Sequence, residues 1–600
     1  MSKRYFVRVP LLFAATILLF VNPALAQKRD AVRIDYRVSI ASIPGQIFHV
    51  TTEVKNINEP RLELSLPTWT PGWYTVENYF KNVLRFKITD QKGNTLQPEM
   101  IRKQTWRVET KGLDSIKIEF DYKATVLALN QAKITSDFAF FTGTELFLEV
   151  ARHRSNPITV RFELPKDWKI ISALKETSDP MVFTAPDYDT LVDAPTEMGR
   201  FDTTQFQVEG KPHYLVTTPA GALEKDKAEQ FAGMLSKVAA AQSAIFGGLP
   251  YEKYVYFYLF SRPESNAGGA LEHLNSHVAF AFSPTPEAMI GTASHEFFHL
   301  WNVKRIRPAE MWPYDYSREN ETPLLWVSEG FTNYYGNIAT YRAGLRTREQ
   351  FLGSVQGAIN GVENNEARSY IPPAGSSVST WVGYDTPVAF GISYYTQGQN
   401  LAALLDLSIL NDTNGSAGLD DVMRALFQDF YQKGKGFTTE DMISIVNRIT
   451  KRDYREFYRK YVWGVEVPSY DEFLGYSGYR AEKAARSRPT IGTVIERSDD
   501  GVRITGVSDG SQAARAGLHS GDLVLQANGT DLAKDPQALI SKLGEHIGHS
   551  VKLAIRRGTQ NLTTDVEVGT ADDSNYKVVE VQSPTPKQLK IRETWLKTIK

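Results

Sequence analysis

Alternating apolar and polar positions dominate the first third of the chain. Runs such as Val32 to Ile40, Leu62 to Leu66 and Ile116 to Tyr122 repeat every second residue, which is the period of half-buried strands. Turn signals such as Pro71-Gly72 separate these runs. The pattern predicts a β-rich N-terminal domain, similar to an antiparallel sandwich, over residues 27–205.

From about residue 222 the period becomes helical. Glu224–Phe246 is rich in Ala and Lys, a short aromatic strand follows at Tyr254–Phe260, and the chain beyond it is mainly helical. We predict a mainly helical second domain over residues 206–478. It contains a long segment without clear periodicity between Glu366 and Ser393, and loops of this length are usually functional or disordered.

The last part of the chain returns to short strands. We predict a polar linker at residues 479–490, a small domain at residues 491–572 and a tail at residues 573–600. The tail is Lys-rich and amphipathic around Trp595, and we interpret it as a docking segment. In the small domain the expected strands are Ile491–Glu496, Val502–Val507, one from Leu523 and Val551–Arg556, and the expected helices are Ala513–Ala516 and Pro536–Leu543.

The first 26 residues have the features of a secretory signal peptide. Lys3, Arg4 and Arg8 precede an apolar run from Leu11 to Val21, and Ala24-Leu25-Ala26 supplies the small residues of a cleavage site. The alternative is a transmembrane anchor, but a bilayer core requires ~20 apolar residues. We therefore expect cleavage after Ala26 and an exported protein with no stable membrane span, in the periplasm if the source is a Gram-negative bacterium.

Composition and charge exclude several classes of function. The 600 residues are 42% hydrophobic and 23% charged, values typical of a globular protein. The net charge is −1, and it becomes −4 when the three positive charges of the signal peptide are removed. No global field attracts nucleic acid, so we expect none as a partner. Because the chain has no cysteine, a transition metal must be held by His and carboxylate side chains.

The clearest chemical motif is His295-Glu296-Phe297-Phe298-His299. On a helix, residues four apart lie on one face, so both imidazoles can bind one ion. Glu296 can then reach a water molecule at that ion and act as general base. The alternative is a solvent-exposed or core His pair without a metal.

A catalytic zinc site needs a third protein ligand and an open position. Glu329 is the candidate, because it lies in the apolar segment Trp326 to Tyr335 and a carboxylate that faces a core is costly unless it is paired or bound to metal. The alternative is a buried ion pair with one of the basic residues at positions 304–307. We predict one Zn²⁺ ion held by His295, His299 and Glu329.

Residues 295–305 (HEFFHLWNVKR) and 326–336 (WVSEGFTNYYG) resemble the glycyl aminopeptidase family of gluzincin zinc peptidases. Residues 66–72 and 191–199 resemble the N-terminal domain of that family, and the resemblance covers nearly all of the mature chain. It implies a β-rich N-terminal domain, a thermolysin-like, mainly helical catalytic domain and a PDZ domain. It also implies aminopeptidase activity on peptides that begin with Gly or Ala.

The resemblance implies an exopeptidase motif at residues 268–273 (GGALEH), in which Gly269 and Ala270 line the substrate and Glu272 binds its free α-amine from an edge strand. The distance from that carboxylate to the zinc ion would select the first peptide bond. The alternative for Glu272 is a surface charge on a strand.

The resemblance also implies an oxyanion donor at residues 394–398 (YYTQG), where Tyr395 matches best and Gln397 replaces the usual Lys. In the implied mechanism, Glu296 activates a water molecule and returns the proton to the leaving amine. Tyr395 stabilises the tetrahedral oxyanion, since a phenol stays protonated near neutral pH. The alternative for Tyr394 and Tyr395 is core packing.

Residues 504–524 resemble a PDZ domain of the bacterial protease type, with Ile491 and Gly492 in the carboxylate loop that leads into the binding strand. Such a domain binds the C-terminal end of a peptide at a sheet edge, although it can also simply pack on a neighbouring domain. Two other functions stay open: a zinc endopeptidase or oligopeptidase with PDZ-presented substrates, and a catalytically silent PDZ peptide-binding protein.

Overall fold

The computed structural model of the protein describes residues 31–264, 268–382 and 391–598. The predicted signal peptide and part of the aperiodic segment between Glu366 and Ser393 lie outside the described residues. Within them the chain forms a β-rich N-terminal domain, a mainly helical domain and a C-terminal PDZ domain, which confirms the predicted multidomain α+β fold. None of the described helices has the length and apolar character needed to span a bilayer.

The N-terminal domain consists of layered sheets whose strands alternate as the sequence pattern predicts. Its largest sheet has the order β14-β15-β12-β1-β2-β8-β4-β5, and β1 pairs antiparallel with β2 but parallel with β12. Two smaller sheets have the orders β13-β16-β10-β9 and β11-β3-β7-β6. The parallel pair departs from an all-antiparallel sandwich, because β12 returns to the sheet after a long connection. The elements are β1 Arg33–Ser42, β2 Ile47–Lys55, β3 Arg61–Ser65, β4 Val83–Asp90, β5 Thr95–Leu96, β6 Glu99–Arg102, β7 Thr105–Glu109, β8 Ser115–Lys123, β9 Lys133–Ile134, β10 Phe138–Phe141, α1 Gly143–Leu146, β11 Glu149–Val150, β12 Ile158–Glu163, β13 Lys169–Ser172, β14 Lys175–Glu176, β15 Val182–Ala185, α2 Tyr188–Val192 and β16 Thr196–Gly199.

The helical domain begins with a mixed sheet in the order β17-β18-β19-β21-β20, whose outer strands are antiparallel to their neighbours. This sheet starts at Asp202, so the predicted domain boundary at residues 205/206 falls inside β17. The elements are β17 Asp202–Val208, β18 Lys211–Thr218, α3 Lys225–Phe246, β19 Tyr254–Leu259, β20 Ala270–His273, β21 Ser276–Phe280, α4 Pro286–Phe298, a π-helix at Trp326–Phe331, α5 Thr332–Arg342, α6 Arg348–Glu363, α7 Pro373–Val378, α8 Tyr394–Asp412, α9 Leu419–Asp429, α10 Thr439–Thr450, α11 Arg455–Tyr461 and α12 Tyr470–Gly475. Short 3₁₀ turns lie at Tyr79–Asn82, Ala309–Met311, Glu366–Ser369, Ser379–Val382 and Tyr431–Lys433.

The N-terminal and helical domains share one continuous apolar core. That core runs from Val38 in β1 through Trp69 to Trp326 and Leu404, all of them fully or almost fully buried. The PDZ domain has a separate core around residues such as Val524. The two large domains therefore position each other rigidly, and a site between them can use side chains of both.

The predicted linker at residues 479–490 is wrong, because this segment is the strand β22 (Tyr479–Thr490). It pairs over its whole length with β29 (Gly569–Glu580) in a two-stranded ribbon that carries the PDZ domain between its ends. The PDZ elements are β23 Thr493–Ser498, β24 Gly501–Val507, α13 Gln512–Arg515, β25 Leu523–Ala527, β26 Thr530–Asp531, α14 Ala538–Glu545, β27 Ser550–Arg557 and β28 Gln560–Glu567.

The tail after the ribbon packs on the helical domain through α15 (Pro586–Trp595). The Trp595 indole is 1% exposed and its Nε1 donates a hydrogen bond of 2.8 Å to the hydroxyl of Tyr334 in α5. Arg592 donates through Nε to the carbonyl oxygen of Ser477 at 2.9 Å. The tail therefore docks on the helical domain, in agreement with the interpretation from sequence.

Candidate active site

The His-Glu-x-x-His motif lies on α4. This helix begins at Pro286, whose missing N–H costs nothing in a first turn, and ends at Phe298. His295 and His299 are one turn apart on its inner face, and His299 is 1% exposed. Glu296 is one position further round the helix and is also buried.

Three side chains converge with the spacing of metal ligands. Nε2 of His299 lies 3.0 Å from Nε2 of His295 and 3.1 Å from Oε2 of Glu329, and the third edge, from His295 to Glu329, is 3.7 Å. Ligands bound at ~2.0–2.1 Å to a tetrahedral zinc ion lie about 3.3 Å apart. The predicted His₂Glu set therefore fits a zinc ion in its geometry and in its donor atoms.

Two contacts orient the ligands. Nδ1 of His299 lies 2.8 Å from the carbonyl oxygen of Asn302, and this contact directs Nε2 at the ion position. The Tyr74 hydroxyl, from the N-terminal domain, donates a hydrogen bond of 3.0 Å to Oε1 of Glu329, so that Oε2 faces the imidazoles. Tyr74 is not predicted from the sequence, since nothing near it in the sequence points to a metal site.

Asn302 also ties the turn after α4 to the helix that carries Glu329. Its Nδ2 donates to the carbonyl oxygens of Val327 at 2.8 Å and Ser328 at 3.1 Å. These carbonyls belong to the π-helix, a rare conformation that is frequent at functional sites. Asn302 was missed although it lies inside the motif at residues 295–305, and its position there is the signal that could have identified it.

Glu329 is not the ion-pair partner of any of the basic residues at positions 304–307. Lys304 instead contacts Asp193, with 2.9 Å between Nζ and Oδ1. Arg305 donates to backbone carbonyl oxygens, among them that of Leu300 at 2.6 Å. The Arg307 guanidinium lies over the ring of Tyr314, 3.7 Å from its centroid.

The electrostatics of this cluster favours a cation. Burial alone would lower the pKa of His299, but the carboxylates of Glu329, Glu272 and Glu296 outweigh it and raise that pKa to about 10. Burial also raises the pKa of Glu296 well above its usual range. Burial would raise the pKa of Glu329 too, yet the imidazoles of His299 and His295 hold it below its usual range. A divalent ion at the ligand atoms would balance these carboxylates.

Glu272 lies on the edge strand β20, as the resemblance implies, but it is not a surface charge. It is 3% exposed, and its carboxylate lies within 4.8 Å of the ligand-type atoms of Glu296 and His299. Nζ of Lys304 is 4.0 Å from Oε1, and that oxygen has no hydrogen-bond partner among the described residues. The structure therefore brings Glu272 to the rim of the ligand set.

The N-terminal domain closes over Glu272. A Cβ atom on Gly72 would lie 2.5 Å from Oε2 of Glu272, so only glycine lets the chain approach this closely. Nζ of Lys304 also lies 3.3 Å from the carbonyl oxygen of Pro71. Pro71-Gly72 is a turn signal in the sequence and part of the segment that resembles the family's N-terminal domain, and the structure adds its contact with Glu272.

A cleft of about 500 Å³ opens beside the ligands. Ala270, His295, Glu296 and Tyr395 line it together with Ala288, Gly291, Thr292, Asn333, Gly336, Asn337 and Arg346. Gly269 precedes Ala270 at the start of the edge strand, and its carbonyl oxygen accepts a hydrogen bond of 2.9 Å from the backbone N–H of Phe280. Sequence reasoning did not identify the residues of α5 and Arg346 in this wall.

Of the two candidate tyrosines, Tyr395 faces the cleft. Its ring stacks on that of His295, with 6.1 Å between centroids, whereas Tyr394 is 5% exposed and its hydroxyl bonds Thr380. Gln397 points away from the cleft: its Nε2 donates to the carbonyl oxygen of Ile371 at 3.0 Å. Gln397, at the usual Lys position, therefore packs against α7 and the segment that precedes it. It does not contact the predicted metal ligands.

The PDZ residues Ile491 and Gly492 lie in a different domain from the cleft. Ile491 is 2% exposed in the PDZ core, and its carbonyl oxygen accepts a hydrogen bond of 2.8 Å from the N–H of Ala513. Gly492 adopts a positive φ of 79° before the edge strand β23, where Val494 is 52% exposed. The loop thus precedes an open sheet edge, although the Ile491 side chain itself is structural.

Comparisons with known proteins agree with this architecture. The sequence matches the Peptidase M61 N-terminal domain over residues 35–200, the M61 glycyl aminopeptidase domain over residues 288–401 and a PDZ domain over residues 489–568. No curated protein matches the chain significantly.

A solved structure shares the fold over nearly the whole chain, and two others are similar to a lesser degree. An aminopeptidase N family protein from Idiomarina loihiensis is 22% identical with a TM-score of 0.83, and the match covers 94% of this chain and 100% of that one. An M1 zinc metallopeptidase from Deinococcus radiodurans is 16% identical with a TM-score of 0.47, over 73% of this chain and 95% of that one. Yeast LTA4 hydrolase is 16% identical with a TM-score of 0.48, over 73% and 68%.

The domain matches, the order of the domains and the convergence of two histidines and a glutamate agree with one another. The chain therefore carries the N-terminal and glycyl aminopeptidase domains of the M61 family of gluzincin zinc metallopeptidases, followed by a C-terminal PDZ domain.

Proposed function

We propose that this protein is an exported zinc aminopeptidase that removes a small N-terminal residue, Gly or Ala, from peptides. The observation that carries this proposal is the Glu272 carboxylate, which is buried at the rim of the ligand set, with no hydrogen bond to Oε1 among the described residues and Nζ of Lys304 no nearer than 4.0 Å. A buried carboxylate of this kind is costly unless a cation meets it. The free ammonium group of a peptide supplies that cation, and a blocked N-terminus does not.

One zinc ion would be held by His295, His299 and Glu329. When bound, it supplies a Lewis acid that polarises the scissile carbonyl and lowers the pKa of a water molecule. Glu296 removes a proton from the attacking water and transfers it to the leaving amine. Burial raises the pKa of Glu296, which makes its carboxylate a stronger base. Tyr395, from the cleft wall, donates its phenolic proton in a hydrogen bond to the developing oxyanion.

The space for the first side chain supports a preference for small residues. Gly72 brings the N-terminal domain against Glu272, and Tyr74, which is 1% exposed, fills the region between Glu329 and this loop. A substrate whose amine meets Glu272 has its first side chain near these groups. Gly and Ala would fit beside these groups with the least displacement.

The signal-peptide pattern at residues 1–26 supports export, and we propose the periplasm as the location in a Gram-negative source. The PDZ domain is proposed to bind the C-terminal end of a peptide at the edge strand β23, where Val494 and Ile495 are exposed. This role would bring longer substrates or partner proteins to the enzyme.

The test compares free and N-acetylated forms of the same tripeptides, beginning with Gly, Ala, Leu or Phe, with and without a chelator. We expect hydrolysis only of free N-termini, highest for Gly and Ala, and loss of activity with the chelator that added zinc restores. Cleavage of the acetylated peptides at comparable rates would favour an endopeptidase. No hydrolysis of any peptide by zinc-loaded protein would favour the peptide-binding alternative.

A further inference from the structure

The far end of the catalytic cleft contains an arginine without an acidic partner. The Arg346 side chain is half-buried in the cleft wall, and its Nη1 donates a hydrogen bond of 2.7 Å to Oδ1 of Asn337. Within the residues that the structure describes, no Asp or Glu forms an ion pair with it. Burial lowers the pKa of Arg346, and no carboxylate offsets that effect. A guanidinium held in this way has donors available for a ligand.

The position of Arg346 along α4 is fixed by Gly291. A Cβ atom on Gly291 would lie 2.7 Å from Nη2 of Arg346, so the guanidinium rests directly on the helix backbone. Gly291, His295 and His299 are spaced four residues apart and form one stripe along the helix. Because α4 rises ~1.5 Å per residue, Gly291 and His299 are about 12 Å apart along the axis.

Arg346 and Glu272 therefore lie at opposite ends of this stripe. The Glu272 carboxylate is close to His299, whereas the Arg346 guanidinium contacts the helix at Gly291, with His295 between them. A substrate with its amine at Glu272 and its first peptide bond at the ligand set continues towards Arg346. Since an extended chain covers ~3.3–3.6 Å per residue, three or four residues span the stripe.

We infer that Arg346 is a substrate-binding residue that receives a carboxylate on the leaving side of the scissile bond, such as the C-terminus of a tripeptide or tetrapeptide. The inference rests on the proposed aminopeptidase function, because that function sets the direction of the peptide. Arg presents a planar fork of N–H groups that matches a carboxylate with two hydrogen bonds. Asn337 holds one end of the guanidinium and orients this fork.

This site makes the enzyme selective for short peptides. The amine at one end and the carboxylate at the other are recognised by opposite charges at a fixed separation, so a peptide of matching length satisfies both. An acidic side chain at the third position of a peptide would also offer a carboxylate, and the experiment below distinguishes this side-chain carboxylate from the C-terminal one.

The test measures kcat/KM for Ala-Ala-Ala, Ala-Ala-Ala-amide and Ala-Ala-Asp-amide. For the wild-type enzyme we expect the free acid to exceed the amide by about 10- to 100-fold, mostly through KM, because charge-assisted bidentate bonds are strong. Arg346→Gln should bring this ratio close to one, chiefly by raising KM for the free acid, and Arg346→Lys should give an intermediate ratio. A high value for Ala-Ala-Asp-amide that Arg346→Gln abolishes identifies the side-chain carboxylate as a further ligand.

The matched control is Arg348→Gln, which removes the same charge two residues away. Arg348 is at the surface, where its Nη2 lies 3.2 Å from Glu580. We expect this variant to keep the wild-type ratio of acid to amide. An Arg346→Gln enzyme that retains the full preference, or a wild type without any preference, would overturn the inference while leaving the aminopeptidase function intact.

A binding measurement separates this inference from the proposed function. Calorimetry on zinc-loaded Glu296→Gln protein gives the Kd of each peptide without turnover, and Glu296→Gln/Arg346→Gln gives the same values without the guanidinium. Tighter binding of the acid that disappears in the double variant supports the subsite, even if the wild type hydrolyses none of these peptides. Equal Kd values for acid and amide in Glu296→Gln protein would refute it.

Discussion

The Tyr74 hydroxyl donates a hydrogen bond of 3.0 Å to Oε1 of Glu329, and through it the N-terminal domain contacts the metal-ligand set directly. This bond decides which carboxylate oxygen faces the imidazoles. The N-terminal domain is therefore part of the site, since its strands position a side chain that orients a ligand.

Tyr74→Phe removes only the hydroxyl, and we expect the zinc affinity to fall about 10- to 100-fold, which is typical for the loss of an outer hydrogen bond to a ligand. Competition with a chromophoric chelator measures this affinity. Tyr79→Phe is the matched control: it removes a buried hydroxyl of the same domain that bonds the Asn130 carbonyl oxygen at 2.9 Å. Equal zinc affinities for Tyr74→Phe and the wild type would contradict the assignment.

Glu296→Gln keeps the shape of the side chain but removes its basicity. We expect kcat to fall by about 10²- to 10⁴-fold, the contribution of a general base, while the bound zinc stays at the wild-type level. Metal analysis of the same sample provides the control, and Glu329→Gln serves as a second variant that should lose zinc as well. Turnover close to that of the wild type in Glu296→Gln would mean that another group is the base.

Glu272→Gln tests the amine site. The neutral amide cannot balance an ammonium group in a buried position, so we expect KM for free tripeptides to rise at least tenfold with a smaller change in kcat. Steady-state kinetics on Gly- and Ala-peptides checks this expectation. If KM is unchanged in Glu272→Gln, and both this variant and the wild type hydrolyse N-acetylated peptides, Glu272 does not select the N-terminus.

The buried pair of Asp193 and Lys304 predicts a pH dependence of stability. Burial would raise the pKa of Asp193, but the Lys304 charge and the His273 hydrogen bond outweigh it and lower that pKa to about 2. An unfolded Asp titrates near ~3.9, so the ionised carboxylate stabilises the fold fully above about pH 4. That stabilisation, about 2–3 kcal/mol, is lost as the pH falls towards 2.

In Asp193→Asn, the free energy of unfolding should therefore no longer show the fall between about pH 4 and 2 that this group contributes. At neutral pH it should be less stable by about 3–5 kcal/mol, because Lys304 is left buried without its main partner. Urea unfolding at both pH values measures these quantities. Asp453→Asn is the control, since Asp453 pairs with Arg455 at the exposed surface and its loss should change little. An unaltered pH profile in Asp193→Asn would contradict the prediction.

The sequence was most informative where the chemistry is contained in contiguous residues. The histidines and Glu329 lie in two compact motifs, and helical spacing alone places both imidazoles on one face. Tyr74 and Arg346 were not predicted, because their roles depend on contacts between segments that are far apart in the chain. The sequence pattern predicts a linker instead of the ribbon because most of the described side chains of β22 are exposed, which removes the apolar alternation that marks a half-buried strand.

The PDZ domain is attached through both strands of the ribbon, β22 and β29, and this determines how it can be removed. Thr490 and Gly569 face each other as register partners at its far end, where neighbouring strands are ~5 Å apart, so the residues between them can be excised and the gap joined by a tight turn. A stop codon at residue 491 has a different outcome, because it also deletes β29 and α15 and uncovers the Tyr334 surface that Trp595 occupies. The PDZ domain is thus an insertion within the peptidase, and a gene truncated before it would encode a damaged helical domain.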